Sequence, residues 1–325
     1  MAKVCVCIPT RNRPGYVRQA LGSVLAQTAG DFRVLVSDDA SNPDTAAAVS
    51  TYVAGLADRR VRYHYHTDNL REFDHGRFLF GQCGEEFFAI LHDDDCWEPT
   101  FLERCLAVLA ADPSLACVTT DQSVIDASGA CDASMTAAYR ARMGRTRYRE
   151  GRLPILEPLL THSVFALSCT VFRTAALERS GLVDADGQGN TIFDINLFLR
   201  LGERGEQAYY LREPLASYRI HDDRLTVSEE RAGLNARLLE TFMTILERRR
   251  FSGRAEKERR RHLSAAYHNY AVLCYLRRDR ARMYGYLLKS VRTRPGRWQN
   301  WAYVLLGTCP FLLRPVLALR GARPV

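Results

Sequence analysis

The chain has no glycine-rich phosphate loop. Its first apolar run, Lys3 to Ile8, is followed by Pro9-Thr10-Arg11-Asn12-Arg13 rather than GxGxxG or a P-loop. This argues against the common dinucleotide-binding and nucleoside-triphosphatase signatures. The ten cysteines contain no CxxC pair, so the usual structural zinc site is not expected. Cys5 and Cys7 alternate with valines and read as core residues of a strand, which predicts a reduced, cytoplasmic chain. Val4 to Ile8 is too short for a signal peptide and Pro9 ends it, so no leader is expected. Trp298 to Leu319 is apolar but broken by Pro310, Arg314 and Pro315, too interrupted for a membrane span. No serine or cysteine nucleophile motif is visible.

What is present suits one large domain with an appendage: 325 residues, 47% hydrophobic and 25% charged. The charge is unevenly placed. From Arg224 onward 22 Lys and Arg face 7 Asp and Glu, a net +15, whereas the preceding part carries 23 against 30, a net −7. An acidic front and a basic tail imply two jobs.

Strand and helix signals alternate. Lys3 to Ile8, Phe32 to Val36, Val61 to His66, Phe87 to Leu91 and Ala116 to Thr120 read as strands. Pro14 opens a helix whose apolar stripe is Val17, Ala20, Leu21, Val24 and Leu25. Thr45 to Leu56, Arg77 to Cys83 and the segment after Pro99 read as further helices. Asp121 to Gly151 reads as polar and irregular. Its six arginines (Arg140, Arg142, Arg145, Arg147, Arg149, Arg152) suit a solvated loop or a flap over phosphates. Phe165 to Phe172 and Ala216 to Ile220 read as short strands. Such alternation predicts an α/β fold with a mostly parallel central sheet and flanking helices. Ligands of these sheets bind at the carboxyl ends of the strands.

Three polar loops fall at such ends: Pro9 to Arg13, Asp38-Asp39 and His92-Asp93-Asp94-Asp95. Three adjacent carboxylates repel unless a cation sits among them, and Mg²⁺ or Mn²⁺ takes oxygen ligands. A solvated acidic turn is the alternative. Asp194 opens a late helix, where an Asp often caps. His221 follows the last strand.

Five segments in order resemble the family 2 glycosyltransferases, inverting enzymes of the Rossmann-like GT-A fold acting in bacterial surface glycan synthesis. They are VCIPTRNRP at 6–14, VLVSDDAS at 34–41, ILHDDDCWEP at 90–99, Phe193-Asp194 and Tyr218-Arg219-Ile220-His221. The resemblance covers roughly residues 3–225. It implies a nucleotide-diphosphate sugar donor, most often a UDP-sugar, with Pro9, Thr10, Arg11, Arg13, Asp38, Asp39, Arg71, Asp93 and Asp94 on the nucleotide sugar. It implies Mn²⁺ or Mg²⁺ on Asp95, Asp93 and His221, with the direct bond from Asp95, and Asp194 as general base. Two departures stand out. His92 replaces a common acid at the front of the triplet, and the loop Asn69 to Phe78 lacks the usual Ala-Arg-Asn signature, so Arg71 and Arg77 compete for one role.

The expected organisation is a catalytic domain at 1–224, with a nucleotide half to about 120 and an acceptor half after it, then a basic helical region at 225–325. Leu234, Leu238, Phe242, Ile245 and Leu246 have helical spacing, as has His262 to Arg277. This region either packs as an appendage or contacts the inner face of the membrane, with arginines on headgroups and Trp298, Trp301, Phe311 and Leu313 in the interface. No nucleic-acid motif is present. The acceptor is a glycan, a lipid-linked sugar or a small molecule. Two competing functions are a nucleotidyltransferase acting on sugar phosphates and a non-catalytic sugar-nucleotide-binding protein.

Overall fold

A computed structural model describes residues 3–181, 193–221, 231–296 and 301. The segment holding Trp298, Phe311 and Leu313 therefore lies outside the described residues, as do Asp222 and Asp223.

The described residues form two compact units. In the larger one, β1 (Val4–Thr10), β2 (Phe32–Asp38), β3 (Val61–Tyr65) and β4 (Phe87–Ile90) pair in parallel in the order β3-β2-β1-β4. The helices α1 (Pro14–Leu25), α2 (Pro43–Gly55) and α3 (Arg71–Gly81) connect them. Buried Val17, Ala20, Leu21 and Val24 of α1 pack into the same core as Val4, Val6 and Ile8 of β1. This half follows the alternation read from the sequence.

The second half adds β5 (Cys96–Trp97), α4 (Phe101–Ala111), β6 (Leu115–Ile125), α5 (Ala133–Arg142), β7 (Gly151–Pro154), α6 (Leu156–Thr161), β8 (Thr170–Arg173), α7 (Thr174–Ser180), α8 (Phe193–Glu203) and β9 (Gln207–Arg219). β8 lies antiparallel between β4 and β6, β6 and β9 run parallel, and β5 and β7 pair antiparallel with β9, giving nine strands. The strand expected at Phe165 to Phe172 starts only at Thr170, and the one expected at Ala216 to Ile220 is the end of the 13-residue β9.

Asp121 to Gly151 is not irregular. β6 runs on into it as far as Ile125, and α5 and a 3-10 turn at Arg145–Arg147 follow. Its arginines lie in different surroundings. Arg145 is fully buried, 3.5 Å from the equally buried Asp121, and Arg140 pairs with the same carboxylate. Arg152 pairs with Asp112 at 2.6 Å. Arg142, Arg147 and Arg149 are exposed. A buried carboxylate needs a charge partner, and that need draws two arginines inward.

The cysteines also depart from expectation. Cys5 is a core residue, but it is disulfide-bonded to Cys83, at the end of α3. β1 and α3 bring the two Cα atoms to 5.8 Å across a separation of 78 residues, which local spacing does not reveal.

The smaller unit contains α9 (Arg231–Glu247), α10 (Gly253–Leu276) and α11 (Arg280–Thr293). Its arginines are not all solvated. Arg249 and Arg259 are buried and donate to the carbonyls of Ile245 and Leu246 at the end of α9. Among the described residues no helix is long and apolar enough to cross a membrane.

Candidate active site

The site forms where β1, β2 and β4 end. Thr10, last residue of β1, donates its hydroxyl to Asp93 Oδ2 at 2.8 Å. Arg13 Nη1 reaches Asp93 Oδ1 at 3.2 Å and Asp94 Oδ2 at 2.8 Å. His221 Nε2 stands 3.1 Å from the same Asp94 oxygen. Asp95 is buried, and its Oδ1 accepts the backbone N–H of Arg219 at 3.1 Å.

These contacts separate three adjacent acids. Burial pushes Asp95 up to about 6, helped by the charge of Asp94. Asp93 is also raised, by burial and then by Asp94, against the pull of Arg13. Burial would raise Asp94 too, but His92, His221 and Arg13 together hold it below the usual carboxylate range. Asp94 is the acid kept as an anion. One donor atom each from His92, Asp94 and Asp95 lie within 4.8 Å of one another. Asp93 does not join this group, because Thr10 and Arg13 turn it towards β1. Of the residues expected on a metal, Asp95 stands in this group beside Asp94 and His92, His221 contacts Asp94, and Asp93 is held by Thr10 and Arg13.

The acids of β2 also part ways. Asp38 is fully buried; it accepts the hydroxyl of Tyr63 at 2.9 Å and the N–H of Ser41 at 2.8 Å. Through these two contacts it braces the loop. Asp39 accepts the N–H of Leu70 at 2.6 Å and of Arg71 at 3.2 Å. It caps α3 from 31 residues away, so α3 starts at Arg71 and not at the expected Arg77. Asn12, Ala40 and Arg71 all have left-handed backbone, with φ of 57°, 58° and 63°. Strain of this kind gathers at functional loops, and these three loops meet: the N–H of Asn12 donates to Ser41 Oγ at 2.8 Å and that of Arg71 to Asp39. Pro9 continues β1 beside Ser37, while the side chains of Arg11 and Arg71 are exposed.

Asp194 lies in the first turn of α8, and its Oδ1 accepts the N–H of Ile195 at 2.7 Å. Burial raises its pKa. Glu72 of α3 accepts the N–H of Phe193 and is pushed up to about 7 by burial and by Asp194. His92 is held above its usual value by Asp95, Asp94, Asp194 and Glu72, against the opposing effect of burial. Glu72 and His92 are surrounded by protein yet exposed to solvent, as walls of an open cleft would be.

Arg219 enters the sequence reading only as part of a motif. It is 1% exposed, donates through Nε to Asp94 O at 2.7 Å and through Nη2 to Gln19 Oε1 at 2.9 Å, and lies over the Tyr16 ring. It clamps the acidic loop from behind. Trp97 packs on Phe101 and donates to Ser168 O at 2.6 Å. Glu72 gives no signal in the sequence, since an acid in the first turn of a helix is ordinary.

The model of glycosyl transferase family 2 matches residues 5–179, more than half of the chain. The chain belongs to this family. It is 32% identical over 126 residues to chondroitin synthase of Escherichia coli, covering 39% of this chain and 18% of that one. It is 37% identical over 111 residues to the succinoglycan biosynthesis protein ExoW of Rhizobium meliloti, covering 31% and 32%. The chain thus spans about a third or less of these relatives. Among solved structures, TarS 1-349 of S. aureus in complex with UDP-GlcNAc superposes with a TM-score of 0.60 at 14% identity, covering 90% of this chain and 81% of that one. The mannosyltransferase PcManGT of Pyrobaculum calidifontis, in complex with GDP-Man and Mn²⁺, gives 0.59 at 15%, covering 96% and 81%. At these identities the likeness is one of fold, the GT-A fold of family 2.

Proposed function

We propose that this chain transfers a sugar from a nucleoside diphosphate sugar to an acceptor hydroxyl, with inversion, in bacterial surface glycan synthesis. The observation that carries this is the pairing of two carboxylates with different surroundings. Asp94 is kept anionic among His92, His221 and Arg13, while Asp194 is raised by burial. Family membership favours this over a nucleotidyltransferase, and the complete acid set favours it over a non-catalytic binder.

Pro9, Thr10, Arg11, Arg13, Asp39 and Arg71 edge the cleft where the nucleotide half of the donor would lie. UDP is the favoured nucleotide by family resemblance, and TarS is bound to UDP-GlcNAc. The donor set of Asp94, Asp95 and His221 fits a divalent cation, Mn²⁺ or Mg²⁺, in charge and in spacing. Such a cation would neutralise the charge developing on the departing diphosphate.

The chain's own carboxylate does the proton chemistry. Asp194 accepts the acceptor hydroxyl's proton as that oxygen bonds to the anomeric carbon and the carbon–phosphate oxygen bond breaks. A base raised towards the working pH suits this task. Attack from the face opposite the diphosphate inverts the centre.

The test is release of nucleoside diphosphate from a panel of UDP-, dTDP- and GDP-sugars with Mn²⁺ and candidate glycan, lipid-linked and small-molecule acceptors. No release from any donor, with the fold intact, would overturn the reading. The basic region at 225–325, with its net charge of +14, supports a second proposal, contact with an anionic membrane face. Failure to float with anionic liposomes would remove it.

A further inference from the structure

His92 is the one member of the acidic loop whose side chain the preceding reading leaves without a distinct task. Its backbone N–H donates to Ser168 Oγ at 3.2 Å, which anchors the residue, while its side chain is 48% exposed. Nδ1 lies 4.0 Å from Asp95 Oδ2. The other oxygen of Asp95 accepts the Arg219 N–H and Ser168 also bonds this carboxylate, while Oδ2 is the oxygen that faces His92. Ligand atoms on one ion at about 2.1 Å sit roughly 3 Å apart when adjacent and about 4 Å apart when opposite. The 4.8 Å spread of His92, Asp94 and Asp95 closes to that range by a small rotation of a half-exposed ring.

We infer that His92 gives an imidazole nitrogen to the divalent cation and thereby sets which cation the site prefers. The inference rests on the metal reading above. Mg²⁺ is hard, favours oxygen ligands and keeps its waters. First-row transition ions accept imidazole nitrogen, in affinity rising from Mn²⁺ through Fe²⁺ to Co²⁺. An aspartate at this position would give a site with one more oxygen donor, suited to Mg²⁺. Histidine tilts the site towards the transition ions without closing it to nucleotide, because the ring stands at the solvent side of the buried acids.

The test titrates each metal alone, Mg²⁺, Mn²⁺ and Co²⁺, into the full chain and into His92→Asp, His221→Asn, Asp94→Asn and the His92→Asp/His221→Asn double variant. Circular dichroism checks each fold. His92→Asp should lower the ratio of Co²⁺ to Mg²⁺ affinity by about tenfold or more while leaving Mg²⁺ binding equal or tighter. Pulsed electron paramagnetic resonance on bound Mn²⁺ should show ¹⁴N modulation in His221→Asn and lose it in the double variant. An unchanged metal ratio in His92→Asp, or no ¹⁴N signal in His221→Asn, overturns the role of His92 while the metal reading stands. Absence of Mn²⁺ and Co²⁺ binding by the wild-type chain at millimolar concentration overturns both. Loss of all metal binding in Asp94→Asn with wild-type ratios in His92→Asp likewise assigns the metal to the acids and removes His92.

Discussion

Nε2 of His221 sits 3.1 Å from Oδ2 of Asp94, across 127 residues of chain. The neighbouring Asp93 has no such contact; Thr10 and Arg13 hold it. Two adjacent acids thus make unequal demands on substitution. Asp94→Asn should lower metal-dependent turnover about 100-fold or more, the usual scale for a removed charge-stabilising group. Asp93→Asn should cost less in kcat, because an amide oxygen still accepts the Thr10 hydroxyl. Steady-state rates with Mn²⁺ varied separate the two. Equal losses in both variants would refute the division.

Asp194 offers the cleanest test of the proton transfer. Asparagine keeps an oxygen for the Ile195 N–H but cannot take a proton. Asp194→Asn should retain its melting temperature and lose about 10²–10⁴-fold in kcat, the range for a positioned general base. A folded variant with near-normal turnover would leave Asp194 as a helix-terminal acid and nothing more.

Arg145 should behave as part of the fold and not as part of a flap. It is fully buried beside Asp121, and its Nη1 donates to Thr120 O at 3.0 Å. Arg145→Ala leaves a buried carboxylate short of charge, which costs about 3–5 kcal/mol. Arg149→Ala, on the exposed turn before β7, should change stability by less than about 0.5 kcal/mol. Urea unfolding midpoints decide. If both variants were equally stable and both raised KM for donor, the flap would return.

These cases show which features local sequence carries. The stripe from Val17 to Leu25 and the Pro14 start fix α1 from neighbours three and four positions away, and the alternation of strand and helix signals suffices to place β1 to β4. Arg145 looks like its exposed neighbours until β6 brings Asp121 beneath it. Asp38 and Asp39 differ only by one residue step, yet one meets Tyr63 and the other Leu70. The start of α3 depends on an acid 31 residues earlier. Each feature missed is a tertiary contact made by an ordinary-looking residue, whereas the acidic loop is legible because three carboxylates in a row are costly anywhere.

The cleft carboxylates give the protein a pH-dependent stability. Glu72 titrates at about 7 in the fold against an ordinary 4.5. The folded state therefore binds this proton more tightly than the unfolded one. The stability it adds is lost as pH rises from about 4.5 to about 7 and is level above that. His92, raised by the surrounding acids, acts in the same direction. Through Glu72 the metal-free chain gains stability at pH 5.5 relative to pH 8, by an amount that its solvent exposure trims, while His75, held down to about 4 by burial, acts in the opposite direction. Glu72→Gln, which cannot ionise, should lose that acid-side gain in scanning calorimetry. A profile unchanged by Glu72→Gln would remove Glu72 as its source.

Gly76 tests how α3 positions the base. A Cβ there would stand 2.9 Å from the ring of Phe193, closer than carbon atoms approach. Phe193 is buried and opens α8, with Asp194 next to it. Alanine elsewhere in a helix stabilises by up to about 1 kcal/mol over glycine, and Gly22 of α1, with nothing near its Cβ, should follow that rule and leave activity unchanged. Gly76→Ala instead forces Phe193 to move and carries Asp194 with it. A displacement near 1 Å at a reacting group can cost about 100-fold, so kcat should fall by roughly 10- to 100-fold with donor KM little altered. Phe193→Leu in the Gly76→Ala background, which removes the clashing ring, should restore part of the rate. Wild-type turnover in Gly76→Ala would mean that the Phe193 contact does not set the position of Asp194.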